Sequence, residues 1–511
     1  SQRVTLRQKG DYLLAVNLPV QRVDANVSRN RSGVEVRKNG VAVQEGLGRS
    51  GYIENAGAQS ESSSNVAFLL TDVTADDYIE VFVENLSTID AGDTINVTGL
   101  ASLYLEYISN TDTVFAATST RTVSSTTLNQ ATSSPFEWTE TRQDAGFVHS
   151  NTISPQNITL SATGTYMVHI NVPLTGVGHT VQTNVAGRVL LNGTAVSGGH
   201  FMQGYMETAA TESDGDSSIH WSGIVVATTT DSILTITAQQ EAGAGTVVVT
   251  PGFSGSIFVE KLPTTGVIAL TGSTFNGTTN TNWNNSNASS TRFINQLAYD
   301  SSTFTHSTTT NSHQITVGQS GDYFLAFNDA VSGATTRTNN RITVTVNGAT
   351  TTGAQTKSNY IRNQNGHSDA SSNLVFLLEG VTAGQIISVQ SQQEATAGQV
   401  SSTTPGTLLL WKKAALDFRP AAPSMYGTPF DNARLASTTP YFEFMASDPD
   451  GTSDIEYEFS ISTSSTFATA TTRLSSVDAG FLNTVVATDT TPFFEGNKVR
   501  YQLQLADALT D

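Results

Sequence analysis

Three stretches, Val4–Val20 (VTLRQKGDYLLAVNLPV), Ile158–Leu174 (ITLSATGTYMVHINVPL) and Ile315–Val331 (ITVGQSGDYFLAFNDAV), align without a gap. In each, apolar and polar residues alternate, the run breaks at Gly10, Gly164 or Gly321, and it resumes at Tyr12, Tyr166 or Tyr323. Alternation with period two sends side chains to opposite faces of an extended chain, and a glycine inside the run supplies a bend or bulge. The reading is two strands joined at a glycine, three times over.

The repeat extends downstream. Each copy carries an Asn-Gly pair, at Asn39-Gly40, Asn192-Gly193 and Asn347-Gly348, flanked by VEVRK, RVLL and ITVTV. Both residues accept positive φ, so the pair between alternating runs predicts a type I′ hairpin. Thirteen residues beyond each Asn stands Tyr52, Tyr205 or Tyr360. A Ser-rich turn leading into an apolar strand follows (SSSNVAFLL, SSIHWSGIVV, SSNLVFLL), and a terminal strand closes each unit (ASLYLEYI, FSGSIFVEKL, GTLLLWKK). Tyr12, Tyr166 and Tyr323 are spaced by a domain's length, which excludes a solenoid rung. Many short strands and no helical periodicity predict an all-β protein of tandem two-sheet jelly-roll modules.

The order of Gly-x-Tyr strand, Asn-Gly hairpin, Ser-rich segment and closing Phe-Ser-Gly strand resembles the jelly rolls of complement globular heads and the tumour-necrosis-factor superfamily. Module two carries it most fully, in ATGTYMVHINV, DSSIHWSGIVV and FSGSIFVEKL; modules one and three replace Phe253-Ser254-Gly255 with LASLYL and PGTLLL. The resemblance implies trimers, ligand recognition by surface loops and no catalysis. A fourth stretch, PSMYGTPFDNARLASTTPYFEFMASDPDGTSDIEYEFSISTSSTF followed by TPFFEGNKVRYQLQLADALTD, resembles fibronectin type III and related bacterial surface sandwiches, which act as spacers. The expected modules are 1–109, 110–263, 264–415 and 416–511. The first is expected to lack its leading strands and the last its closing ones, as in a fragment of a longer chain or one completed by other subunits.

Composition narrows the function. The 511 residues hold 25 lysines and arginines against 44 acids, a net charge of −19, the wrong sign for a nucleic-acid partner. No stretch is long and apolar enough for a membrane helix, so no membrane insertion is expected. With no cysteine, disulfides, thiolate metal sites and cysteine nucleophiles are excluded together. A bacterial or viral exterior suits such a chain.

Sites of chemistry are few. The eight histidines are scattered; His149 and His306 align in GFVHS and TFTHS, where a capping hydrogen bond is the expected role. No GxSxG, phosphate loop or dinucleotide fingerprint is present. A pair of carboxylates could still assemble from distant strands, as in glycoside hydrolysis. Asp448, Asp450 and Asp454, in DPDGTSD, offer hard oxygens for calcium or simply shape a hairpin turn. Apart from calcium, no cofactor is expected. Trp283, among Asn and Ser in TNTNWNNSNASS, could stack on a sugar or anchor its own loop; Trp221 and Trp411 lie on strand patterns and belong to a core or interface.

These readings lead to a non-enzymatic structural and adhesive protein of a virion surface: a phage fibre, spike or decoration protein. A bacterial cell-surface adhesin or extracellular filament subunit is the alternative, followed by a carbohydrate-active enzyme or its binding region. Other virion or filament subunits and host-surface glycans are the expected partners. Three copies of one unit imply a three-fold assembly, expected as a homotrimer with modules stacked along a fibre; the other solution is a pseudo-trimer folded within one chain.

Overall fold

A computed structural model describes residues 3–22, 30–53, 60–86, 94–97, 100–109, 111–119, 128, 133–177, 182–206, 215–241, 246–274, 282–283, 289–333, 337–362, 368–394, 400–402 and 404–413. Beyond these it describes the backbone of six short strands between Ser424 and Gln502. Residues 1–413 form one compact unit and 414–511 another. In the second, four strands make one sheet and Glu458–Ile461 pairs with Thr471–Leu474. All described regular structure is β, and all its ladders are antiparallel.

Every strand ladder in the first unit closes within residues 4–108, 114–261 or 267–412, the three modules. Module two shows the plan. Its inner sheet runs Thr139–Gln143, Val114–Ser119, Gly255–Lys261, Gly164–Val177, Asp216–Ala227; its outer sheet runs Phe147–Val148, Ile158–Leu160, Ser232–Gln240, Thr183–Leu191, Thr194–Met206. Module three repeats this, with Ser289–Tyr299 crossing from one sheet to the other. Module one has the same central strands, but among the described residues it has no counterpart of Val114–Ser119 or Val267–Thr274.

The repeat's landmarks have physical causes. Gly10, Gly164 and Gly321 sit at φ of 147°, 149° and 147°, a region that only glycine enters readily. Each opens the long inner strand just after a short outer one, and in modules one and three the register shifts there. The following tyrosine ties the corner. Tyr12, Tyr166 and Tyr323 donate to the carbonyls of Gln8, Ala162 and Gln319 at 2.7, 2.7 and 2.5 Å. Asn39, Asn192 and Asn347 have φ of 53°, 51° and 51°, and the glycine after each is also positive, as a type I′ turn requires.

Each module has its own apolar core between its sheets. A further core joins all three: Leu13, Tyr104, Met167, Phe258, Phe324 and Leu409 meet where the inner sheets face one another. Tyr104 and Phe324 lie 5.1 Å apart between ring centroids, and His169 packs on Phe258 at 6.1 Å. Burial holds the His169 pKa down at about 3, so it is a neutral member of this core. Three modules of this one chain meet around a common axis.

Candidate functional site: the seams around the internal axis

The axis is closed by Tyr52, Tyr205 and Tyr360, the residues at the repeated thirteen-residue offset. Their ring centroids are 5.3, 5.3 and 5.6 Å apart, and none is more than 3% exposed. Edge-on and tilted packing suits the aromatic quadrupole. The sequence offset thus marks an assembly residue.

Polar groups repeat the same cycle. Asn17 donates to Gln355 O at 2.6 Å, Asn171 to Glu45 O and Leu47 O at 3.1 Å, and Asn328 to His200 O at 3.1 Å. Each asparagine reaches the hairpin strand of the next module around the ring. The Ser-rich segments, expected as turns, are the opening residues of inner strands Glu61–Val73, Asp216–Ala227 and Asp369–Val381. They are strand because a neighbouring module's backbone needs acceptors there: Lys357 N donates to Ser63, Arg49 N to Ser218 and Met202 N to Ser371, at 2.8, 2.9 and 2.8 Å. Buried N–H groups left without such acceptors would cost the module contact dearly.

The first residue of each of these strands is acidic, and here the three seams diverge. At the seam of modules one and two, Asp216 pairs with Arg49 at 2.6 Å and Arg31 at 3.1 Å. At the seam of modules three and one, Lys357 pairs with Glu61. At the seam of modules two and three, the position equivalent to Arg49 and Lys357 is Met202, and Asp369 has no ion pair among the described residues. Instead it borders a cleft of about 820 Å³ lined by Arg188, His200, Gln239, Gln240 and Glu241, among others. Burial and the nearby Asp369 charge push Glu241 up to about 7, burial raises Asp369 itself, and burial plus Arg188 hold His200 down at about 4. A polar, concave surface with a carboxyl group titrating near neutrality can hydrogen-bond a ligand rich in hydroxyls.

The residues singled out in the sequence fall elsewhere. Asp448, Asp450 and Asp454 lie outside the described residues. Trp283 pairs through its backbone with Val400 in a two-residue strand, and its side chain lies outside what is described. Among the described residues no group of three His, Cys, Asp or Glu could hold a metal ion. His149 and His306 share one role, their Nε2 atoms lying 3.0 and 3.1 Å from the carbonyls of Pro155 and Ser312. Trp221 is buried in the module-two core and donates to Gly198 O at 3.0 Å; Trp411 packs partly against the shared core. The cleft escaped sequence reading because Glu241 and Asp369 are brought together only by the ring of modules. The substitution of Met202 for a cation at one seam is its sole trace in the sequence.

No family model and no curated protein matches the chain. Among solved structures, murine APRIL at pH 5.0 is similar at 16% identity and a TM-score of 0.20, covering 30% of this chain and 99% of its own. PNGF-II is similar at 8% identity and a TM-score of 0.21, covering 76% of this chain and 98% of its own.

Proposed function

We propose that the chain is a non-enzymatic structural and adhesive component of a virion surface, a fibre, spike or decoration protein that carries binding surfaces on a three-lobed head. The observation that supports this reading is the internal three-fold closure. A head whose shared core and tyrosine ring come from one chain holds its lobes together without other subunits, leaving outer sheets, loops and the cleft at Glu241 and Asp369 for contact with a host-surface glycan. Its lack of cysteine and its weak charging suit an exterior setting. Residues 416–511 are read as a fibronectin type III-like spacer, with calcium at Asp448, Asp450 and Asp454 as part of that reading.

Immunogold labelling of intact particles and cells from the source, with antibodies to residues 1–413, tests it. Gold on the exterior of particles is expected. Gold on the outer face of cells would select the adhesin, and gold confined to the cell interior would reject both.

A second reading, hydrolysis of a glycosidic bond, draws on the Glu241 carboxyl raised beside Asp369, since two carboxyl groups with unlike pKa values are what acid–base cleavage uses. Turnover of chromogenic glycosides by the protein, abolished by Glu241→Gln, would establish it. Binding without turnover would leave the adhesive reading.

A further inference from the structure

Where modules three and one meet, two carboxylates are answered by two cations. Lys357, Arg341 and Gln392 stand side by side on three adjacent strands of module three. Lys357 pairs with Glu61 of module one, while Arg341 reaches Glu394 at 3.4 Å and donates to the side-chain oxygen of Gln392. A planar guanidinium can hold an amide oxygen and a carboxylate together in this way.

The same frame recurs where modules two and three meet. Met202, Ala186 and Gln239 are the corresponding neighbours across three strands. Equivalent backbone bonds hold the acids: the amides of Glu394 and Glu241 donate to Asn339 O and Asn184 O at 3.0 and 2.9 Å. The side chains of those asparagines donate in turn to Glu61 O and Asp369 O, both at 2.6 Å. Glu241, Gln239 and Asp369 therefore stand where Glu394, Gln392 and Glu61 do, and Met202 and Ala186 replace Lys357 and Arg341. At the seam of modules one and two the position of Glu241 is held by Leu86, whose amide donates to Arg31 O. Among the described residues, then, one seam keeps both acids and has neither cation. There the cleft of about 820 Å³ opens, with Ala186, Met202, Gln239, Glu241 and Asp369 in its lining, a size that suits a small organic ligand.

We propose that this cleft binds an organic cation bearing a guanidinium group, seated against Gln239 and Glu241 as Arg341 is seated against Gln392 and Glu394. Where the ligand carries a second positive group, Asp369 takes it as Glu61 takes Lys357. Burial and the Asp369 charge push Glu241 up to about 7, and a cation seated beside it favours the ionised form. Among the described residues no three His, Cys, Asp or Glu come together, so the acids suit an organic cation better than a metal ion. Arg188 also lines the cleft, but it lies two residues from Ala186, beside Thr237 and His200, where module three has Thr343. It is not a relocated Arg341, and its charge repels a ligand's cation from that end, leaving the end at Gln239 and Glu241. The inference does not depend on the virion reading, because it concerns the charge that the cleft accepts.

The probe is agmatine, which carries a guanidinium at one end and an ammonium at the other, titrated into the full chain by calorimetry at physiological salt. Saturable one-to-one binding is expected, weakened at least about tenfold when the guanidinium is replaced by neutral urea. Glu241→Gln should weaken it by a similar factor. Met202→Lys, which returns a cation of the chain's own to the cleft, should abolish it, whereas Met202→Leu, apolar and of similar volume, should not. The capped tripeptide acetyl-Gly-Arg-Gly-amide separates the sources: binding of agmatine alone supports a free small molecule, and binding of both supports the same group presented on a polypeptide. No binding at millimolar agmatine, equal binding of the urea analogue, or full affinity in a Met202→Lys or Glu241→Gln protein of unchanged Tm would each overturn the proposal. A neutral oligosaccharide that binds the cleft while agmatine neither binds nor competes would overturn it too, and would leave the glycan reading standing.

Discussion

Asn17, Asn171 and Asn328 occupy one position of the repeat and perform one task, donating an amide to the neighbouring module's backbone. Each is at most 1% exposed, so its partner carbonyl has little access to water. Asn171→Ala is expected to cost about 1–3 kcal/mol in denaturant unfolding. A change below about 0.5 kcal/mol, the ordinary range for surface positions, would show that the contact carries no weight. A different exception is Asp329, fully buried at the position where modules one and two have Leu18 and Val172. Burial pushes its carboxyl up to about 8. The folded state then holds a proton that the unfolded chain releases near pH 4, so stability is full at low pH and is lost as pH rises through about 8. Asp329→Asn should leave stability at pH 3 nearly unchanged and raise it at pH 9 by about 2 kcal/mol or more. Thermal melts at the two pH values decide; equal shifts at both would contradict the assignment.

At the scale of elements, the strands that begin with Glu61, Asp216 and Asp369 show how one structural position is tuned. Two are neutralised by cations of the next module, and the third borders an open cleft. Met202→Lys should rebuild at Asp369 the pair that Lys357 makes with Glu61. Glu241, raised from 4.5 to about 7, makes the native protein less stable as pH climbs between those values. The added cation should favour the ionised carboxylates and flatten that fall, read as a smaller loss of Tm between pH 5 and pH 8 than in the unaltered protein. An unchanged slope would mean that the cleft's charge is balanced by other groups. These strands also mark where sequence reading succeeds and stops. Alternation and Asn-Gly turns are local, so sheets and hairpins were legible; Gly164 and Asn192 carry their own backbone geometry wherever they stand. Ser63, Ser218 and Ser371 read as turn residues because serine favours turns through its own backbone, and nothing local says that a strand 100 or more residues away supplies a donor.

On the scale of the whole molecule, the legible signal was the recurring tyrosine, and the hidden one was its address. Three copies of a unit predict a three-fold contact, but Tyr52, Tyr205 and Tyr360 read identically whether they meet within a chain or between chains. The ring found here has consequences for assembly. The shared core removes from water the inner-sheet faces that carry Leu13, Met167 and Phe324, together with Tyr104, Phe258 and Leu409. Such a face on an isolated module would be an aggregation-prone apolar patch. Among the described residues the axis takes up this face within one chain. Light scattering of the full chain is therefore expected to return the mass of one 54.1 kDa chain. Tyr52→Ala, which opens the axis and removes a buried ring at a cost of about 3–5 kcal/mol by analogy with Phe→Ala, should lower the Tm of residues 1–413 in a single transition. A mass of three chains would place a second three-fold contact outside the described core. Separate melting of three modules in the unaltered protein would show that the shared core does not couple them.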